Sequence, residues 1–554
     1  MSLDWVPDLP VGAVMVSYPP PLDRQTSLAQ ARRWCRQHRQ AQVWVVTEQG
    51  ELAGGLSQQQ IDLACDHGLG ADPLGRWLEP LPPVLSPADP LAAAIPHLSS
   101  QDGIPVVQGG RLLGVVRSRE VWRCLAGSPP VGVSLRALPA SYREKVGLLW
   151  QTCQGLGLEL YVVGGVVRDL LLGEVARDPD VDGVVVRQGD CNALSVAKAC
   201  QGRDPRIQWT AHEPYQTVTI SWPDGIWIDL VTARTEFYPQ PGANPQVSAS
   251  DLGQDLGRRD FTVNALAIRL TEPEQGWLVD WHRGYEDVQR RQLRILHALS
   301  FVEDPTRIFR ACRFVVRLGF RLEPWTAAIM QTTLSLGIHD GRRGYRLRRE
   351  CEYLLQTPTW RQAFQVLAAW GAWRCLDPEL RWHDPVIAQV VRVGMWTYHF
   401  AGRYGLSRQL VAQLRLEALL LTLPDALGVA AALQLPTDRL ERMRQSQALG
   451  NCYRQWPASI APSQVDHTLA CQSVPVILLT TACAPPSIRR LLYCYLHTWR
   501  LTPTLLRGQD LKNLGIPPGP HYGQILQAVR AAQLDGNIHT REEALAWVQK
   551  FWQN

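Results

Sequence analysis

With 554 residues, a net charge of +5 and 46% hydrophobic residues, the chain has material for three or four domains with separate cores. Its 13 cysteines show no C-x-x-C pair and no His/Cys spacing suited to zinc, which excludes a disulfide framework and leaves reduced thiols of a cytosolic protein. Apolar stretches such as Ala418 to Leu423 stop far short of a membrane span, and MSLDWVPDLP has neither the basic start nor the apolar run of a signal peptide, so a soluble, cytoplasmic chain with no membrane partner is expected.

The first 130 residues carry ten basic against twelve acidic side chains, so the positive balance lies in the remainder; that suits a nucleic-acid partner without demonstrating one. This first stretch repeats itself. PPPLDRQTSLAQA from Pro19 returns as PPVLSPADPLAAA from Pro82, and VWVVTEQGELAGGLS from Val43 returns as IPVVQGGRLLGVVR from Ile104. Each half reads as turn, helix, strand, hairpin and strand. The pattern over 10–127 resembles a pair of CBS motifs, a family that often binds adenine nucleotides between its repeats. The family's nucleotide signature has Ser or Thr after the last strand and Asp three residues on. Here Ser57 is followed by Gln60, and Arg117 by Glu120. Both aspartates are replaced, so a structural or RNA-contacting role stands beside adenine-nucleotide binding.

Pro129, Pro130 and Pro139 mark a linker, and a helix is expected from about Ser141 to Leu156. Next comes YVVGGVVRDLLLGEVARDPDVDGVVV, Tyr161 to Val186. It reads as a buried strand, a Gly164-Gly165 turn, a helix carrying Arg168 and Asp169, a turn at Asp178-Pro179, and a second strand. Alternate strand residues share a face, so Asp180 and Asp182 present two carboxylates together. Such a pair holds Mg²⁺ beside substrate phosphates. The glycine turn offers bare amides at a helix N-terminus, a natural seat for polyphosphate. A lone D-x-D is usually a solvated strand edge and a lone Gly-Gly a plain turn; the order and spacing of the two point to nucleotidyl transfer. IWIDLVTARTEFY, Ile226 to Tyr238, alternates like a strand and places Asp229 as a third carboxylate, enough for two ions at an in-line displacement. TEFYPQPGANPQVSAS, Thr235 to Ser250, reads as a long flexible loop.

Further along, Arg258, Arg259 and Asp260 open an expected helix, with Asn264 one turn after Asp260. Glu303, Asp304 and Arg307 form an E-D-x-x-R set, with Asp304 and Arg307 expected on one helical face. A carboxylate beside a guanidinium offers planar acceptors and donors that can read a base edge. Arg310, Arg313 and Arg317 continue that helix and suit substrate or structural pairing. Arg342, Arg343, Arg346, Arg348 and Arg349 form a denser basic cluster suited to phosphate contacts. From Thr357 onward the periodicity is that of packed helices. RGQDLKNLGIPPGPHYGQILQAV, from Arg507, is either a phosphate-meeting turn before a helix or a plain helix-to-helix turn.

GGVVRD followed by DVD resembles the opening motif of class II tRNA nucleotidyltransferases and bacterial poly(A) polymerases. DLGRRDFTVNALA, LVDWHRGYEDVQRRQLR, FVEDPTRIFRACRF and, more loosely, GRRGYRLRRECEYLL follow in that family's order over Tyr161 to Leu355. The resemblance implies an α+β chain: the CBS-repeat pair, a polymerase-β-like head with a mixed sheet over 140–275, a helical neck over 276–360, and a helical body and tail over 361–554. It implies catalytic Asp180 and Asp182 holding two Mg²⁺ ions with Asp229 assisting. Gly164, Gly165 and Arg168, with Asp169, would cradle the triphosphate; Arg259, Asp260 and Asn264 would contact ribose and phosphates. Asp304 and Arg307 would select the base, with Arg310 and Arg313 on the nucleotide side and the second arginine cluster on the tRNA acceptor arm. The expected reaction completes the 3′-terminal CCA of tRNA from CTP or ATP, with the N-terminal repeats and the 235–250 loop pointing to terminal A addition. The alternatives are full CCA addition, CC addition, poly(A) tailing, and a CBS sensor with a retired transferase.

Overall fold

A computed structural model describes residues 10–13, 15–38, 40–81, 84–97, 103–117, 132–187, 190–242, 244–272, 275–341, 344–457 and 459–552. Two compact units divide the chain, Met1–His339 and Asp340–Asn554; the division falls inside the span expected for the neck. No helix among the described residues is long and apolar enough to cross a membrane.

The N-terminal repeat is visible in strand register. Strands β1 (Val16–Ser17), β2 (Leu22–Asp23), β3 (Gln42–Val46), β4 (Leu52–Ser57), β5 (Ile104–Gln108) and β6 (Arg111–Val116) make two three-stranded sheets, ordered β2-β3-β4 and β1-β6-β5. Leu22 pairs parallel with Val45, and its counterpart Leu85 bridges parallel to Val106. Both hairpins slip register at corresponding places, Val45/Val46 and Val106/Val107. A bulge repeated at the same position marks two copies of one supersecondary unit. Helices α1 (Leu28–His38) and α2 (Gln58–Asp66) belong to the first copy. Ser57 caps α2, and Gln60 returns the bond in a capping box. The second copy's Glu120 lies outside the described residues.

An eight-stranded mixed sheet follows. Its strands are β7 (Gly132–Ser134), β8 (Leu160–Val163), β9 (Asp182–Val185), β10 (Gln208–His212), β11 (Thr217–Ser221), β12 (Trp227–Thr232), β15 (Ala267–Glu272) and β16 (Gln275–Val279), in the order β10-β11-β12-β9-β8-β15-β16-β7. Only the β12–β9 pair at its centre is parallel among these ladders. LYVV in β8 is buried at every position, as a central strand covered on both faces requires. TVTIS and WIDLVT alternate buried with partly exposed residues, leaving one face for chemistry. Helices α3 (Ala140–Gly155), α4 (Gly165–Leu172) and α5 (Ala193–Arg203) accompany it.

The stretch expected as a long flexible loop is instead a hairpin. Strands β13 (Arg234–Phe237) and β14 (Gln246–Ala249) pair antiparallel, because Thr235, Phe237 and Val247 favour extended backbone while the Pro- and Gly-rich segment between them turns. Helices α6 (Leu252–Gly257), α7 (Gly284–Arg290), α8 (Ser300–Glu303), α9 (Thr306–Leu318) and α10 (Pro324–Ser335) complete this unit's description.

The second unit is helical. Among its helices are α11 (Tyr345–Gln356), α12 (Trp360–Trp370), α13 (Asp384–Tyr404), α14 (Arg408–Leu420), α15 (Ala426–Ala432) and α16 (Thr437–Tyr453). Glu417 of α14 is fully buried and accepts from Arg439 and Arg442 of α16 at 2.7–2.8 Å, while Arg439 also reaches Glu352 of α11. Buried charges that satisfy one another fix three helices in register.

Candidate active site

The carboxylate group is assembled by strand register. Asp182 opens β9 and stands directly opposite Asp229 on the parallel strand β12, so the two side chains share a face. Asp180 lies two residues earlier, outside the strand and exposed, with Val181 buried between them; the strand expected to carry both aspartates begins only at Asp182. Asp229 Oδ1 also accepts from Thr219 Oγ1 at 2.5 Å across β11. Burial pushes Asp182 up to about 7, and the charge of Asp180 adds to the rise while Arg259 opposes it. Asp180 is likewise raised, by burial and then by Asp229. Carboxylates that raise one another in this way form a group short of positive charge. Among the described residues no three His, Cys, Asp or Glu side chains, these aspartates included, come together as a group that could hold a metal ion by themselves, so a cation here would need ligands from its substrate. An open, all-oxygen arrangement of this kind fits Mg²⁺, which keeps waters and shares its shell with substrate phosphates.

Beside these carboxylates, β8 ends in the Gly164-Gly165 turn. Gly164 adopts φ 76°, ψ −134°, backbone that only glycine takes without strain. A methyl group there would stand 3.0 Å from Arg259 Nη1 and 3.7 Å from Asp182 Oδ2. The bare turn thus lets Arg259 and Asp182 close upon it, while the first amides of α4 remain without helical partners.

Arg258, Arg259 and Asp260 do not open a helix as expected. They follow the C-terminal end of α6, and Asn264 ends a 3-10 turn, Thr262–Asn264. Asp260 and Asn264 still meet, with Asn264 Nδ2 donating to Asp260 Oδ1 at 2.9 Å. Arg310 Nε donates to the other Asp260 oxygen at 2.8 Å, and Arg168 Nη1 donates to Asn264 Oδ1 at 2.7 Å. Burial works against the Asp260 charge, but Arg310 and Asn264 hold its carboxyl below the usual range. Arg168 itself is buried, gripping Asp169 Oδ1 and lying 5.1 Å from the Phe314 ring. Its Nη2 stands 3.5 Å from where a Cβ on Gly165 would lie, which places the guanidinium beside the glycine turn. The network joins α4 to α9 through charge-assisted hydrogen bonds. Arg259 is held by one bond to Asp255 Oδ2 at 3.0 Å, and its buried Nε has no hydrogen-bond partner among the described residues.

The E-D-x-x-R set is also rearranged. Asp304 interrupts the helix between α8 and α9, because its Oδ1 caps α9 through the Thr306 amide and hydroxyl at 3.0 and 2.7 Å. It therefore does not share a helical face with Arg307. Arg307 is almost fully buried: Nη1 donates to Ser300 O, Ser300 Oγ and Glu303 Oε2, and Nη2 to Arg258 O. Burial opposes its charge, yet Tyr238, Glu303 and Asp304 outweigh that and keep it protonated. Burial raises Glu303 to about 7 against the pull of Arg307 and drives His297, 3.4 Å from Glu303, down to about 3. Arg313 is half-buried, 5.8 Å from the Phe314 ring. The β13–β14 hairpin reaches this set, since Gly242 N donates to Glu303 O at 2.9 Å and Tyr238 lies 5.9 Å from Arg307.

Of the second arginine cluster, Arg342 and Arg343 lie outside the described residues. Arg346 is half-buried. Arg348 is turned inward onto Gln434 O and Glu352, because it sits on the packed face of α11. Arg349 is exposed among Tyr345 and Tyr353, 5.7 and 5.1 Å from their rings.

Several supporting residues escaped the sequence reading. Asp255 is fully buried and binds both Arg258 and Arg259; the acid three and four residues before two arginines was its signal. Glu236 holds Arg258 from the hairpin at 2.7 Å, and Tyr142 OH donates to Asp178, anchoring the segment before Asp180. Neither carried a local signal.

Three comparisons bear on this geometry. A family model described as the poly A polymerase head domain matches residues 160–294. The chain is 32% identical over 530 residues to an A-adding tRNA nucleotidyltransferase of Geobacter sulfurreducens, covering 89% of this chain but only 59% of that relative's length. It is 32% identical over 390 residues to a CC-adding tRNA nucleotidyltransferase of Deinococcus radiodurans, covering 70% of this chain and 88% of that relative. Among solved structures, the Thermotoga maritima CCA-adding enzyme complexed with tRNA superposes with a TM-score of 0.57 at 26% identity, over 76% of this chain and 99% of that one.

Proposed function

The chain belongs to the tRNA nucleotidyltransferase family, and we propose that it completes the 3′ end of tRNA by adding the terminal A to an acceptor arm that already ends in two cytidines. In that reaction the tRNA 3′-oxygen forms a bond to the α-phosphorus of ATP, the bond to the β-phosphate oxygen breaks, and pyrophosphate leaves. The observation that carries the reading is the in-register Asp182–Asp229 pair beside the Gly164 turn. Carboxylates raised by burial and then by one another's charge, next to a helix N-terminus and an Arg259 Nε with no hydrogen-bond partner among the described residues, fit a site for a nucleoside triphosphate with its counter-ions.

Asp180 and Asp182 would hold Mg²⁺, with Asp229 as the third acidic group; two ions suit the set. An ion held by them would supply Lewis-acid chemistry, easing deprotonation of the attacking hydroxyl and offsetting charge on the phosphates. The Gly165 amide and the Arg259 guanidinium take the triphosphate, while Gly164, whose own amide donates to Leu266 O at 3.1 Å, shapes the turn that seats it. Asp260, Asn264 and Arg310 hold the ribose side, and Arg168 with Asp169 fixes the turn. Asp304 and Arg307 select the base, with Arg313 supporting α9. Arg349, and Arg342, Arg343 and Arg346 with it, suit the tRNA backbone, and Arg348 supports them from within.

Terminal A addition is favoured because the match to the A-adding relative covers 89% of the chain, which requires the N-terminal module. We read that module as a CBS pair, 10–127, in a structural role, since Gln60 of its nucleotide signature is spent on a capping box. The enzyme works in the cytoplasm, with its substrate. The head, neck, and body with tail occupy 140–275, 276–360 and 361–554.

The test is single-nucleotide extension of three tRNA transcripts, ending at the discriminator base, after one C and after two. Labelled ATP or CTP is supplied with Mg²⁺. ATP incorporation confined to the end carrying both cytidines is expected. CTP incorporation on the shorter ends would make it a CC- or CCA-adding enzyme, and long A tails on a non-tRNA oligomer a poly(A) polymerase.

A further inference from the structure

The N-terminal module and the buried arginine of the base-reading set hold the same three-residue segment, Ala298 to Ser300. On the module's side, Glu79 N donates to Gly55 O of β4 at 3.0 Å, stapling Leu78–Glu79 to its own sheet. One oxygen of that residue, Glu79 Oε1, accepts from Gln60 Nε2 at 2.5 Å and from the backbone N of Ala298 at 3.1 Å. The adjacent carbonyl, Leu78 O, accepts from Trp325 Nε1 of α10 at 2.8 Å. Ala298 and Ser300 are fully buried. Two residues beyond the amide held by Glu79, Ser300 O and Oγ receive Arg307 Nη1 at 3.1 and 2.7 Å.

The Ala298 amide has no role in the helix that follows, since α8 begins only at Ser300. A buried backbone N–H must find a partner, and here the partner is a carboxylate from a residue more than two hundred positions earlier. A charge-assisted bond to a fixed carboxylate sets the position of that amide more tightly than water would. Arg307 has spent both terminal nitrogens on Ser300, Glu303 and Arg258. Its placement therefore follows the placement of Ser300.

We infer that Glu79 is a positioning residue for nucleotide selection: the N-terminal module sets, through the Ala298 amide and Ser300, the orientation of Arg307. This rests on the reading of Arg307 as part of the base-selecting set. Gln60, at the position of the module's first nucleotide signature, is then put to internal use as a donor to Glu79.

The test compares kcat/KM for ATP and for CTP, on the tRNA transcript ending in two cytidines, in the full-length wild-type chain and in Glu79→Ala and Glu79→Gln. Glu79→Ala should lower the ATP-to-CTP ratio by about tenfold, the scale of one charge-assisted hydrogen bond lost. Glu79→Gln, which keeps an oxygen acceptor, should restore most of it. Trp325→Phe, which loses only the bond to Leu78 O, serves as the second variant should Glu79→Ala fail to fold, and should shift the ratio in the same direction. A ratio unchanged in these variants, with both nucleotides slowed together or not at all, overturns the inference. A wild-type chain that incorporates neither nucleotide overturns the transferase reading instead.

Discussion

Replacing Gly164 with alanine puts the glycine turn to a quantitative test. At φ 76°, ψ −134° an alanine is strained by about 1–3 kcal/mol whatever surrounds it. The new methyl would also press on Arg259 Nη1 at 3.0 Å, and Arg259 is tethered through Nη2 to the buried Asp255 carboxylate. Displacing that guanidinium weakens a charge-assisted bond worth about 1.5–3 kcal/mol. Together a loss of about 2–4 kcal/mol is expected, read by urea denaturation of the 21-tryptophan chain through fluorescence. Gly50→Ala separates the two causes, because Gly50 also has positive φ (81°) but nothing within 4 Å of a new methyl. A double-mutant cycle with Arg259→Ala then isolates the collision, which should appear as about 1 kcal/mol or more of coupling. Nucleotide incorporation should fall as well, chiefly through KM for the triphosphate. Gly164→Ala no costlier than Gly50→Ala, with unchanged kcat/KM, would refute the reasoning.

Three further outcomes are expected. Because burial and Asp180 raise Asp182 to about 7 from 3.8, the folded chain binds a proton that the unfolded chain has lost; the penalty is absent below about pH 4 and complete above about pH 7. Asp182→Asn should therefore stabilise the metal-free protein by about 3 kcal/mol at pH 8, after a discount for partial solvent contact, and little at pH 4; equal effects at both pH values in denaturant titrations count against it. The double variant Asp180→Ala, Asp182→Ala should lose at least about a thousandfold in kcat while filter binding shows tRNA affinity retained; near-normal turnover would remove the carboxylates from the chemistry. Arg349→Ala should weaken tRNA binding and reduce the slope of log affinity against log salt by about one without altering stability, whereas Arg348→Ala should lower the stability of the helical unit, and the reverse pattern would overturn their assignment.

Much of the site was legible because its signals are local. Asp180 and Asp182 announce themselves by a spacing of two in an extended run, and Gly164-Gly165 by its place between an apolar strand and a helix. The repeat in the first 130 residues was legible for the same reason as two hairpins, while the matching bulges in them emerged only from strand register. The local readings that failed did so where a side chain competes with helical hydrogen bonding. Asp304 caps the helix it was expected to join, and Arg258 to Asp260 follow a helix they were expected to open. The 235–250 stretch read as a loop from its prolines and glycines, yet its flanks pair as strands.

What the sequence by itself determined, then, is the set of chemical groups and their order: paired aspartates after a glycine turn, a third on a later strand, an acid and arginine before a basic helix. Period-two and near-neighbour spacings act within a few residues, so they survive in a one-dimensional reading. Tertiary structure alone decided which of these groups meet. Register across β9 and β12 set Asp229 opposite Asp182 over an intervening hairpin and helix. Packing turned Arg168, Arg307 and Arg348 inward, where burial made each of them seek several acceptors. Such choices depend on which buried donors remain unsatisfied once the sheet and helices have closed, and no local spacing encodes that.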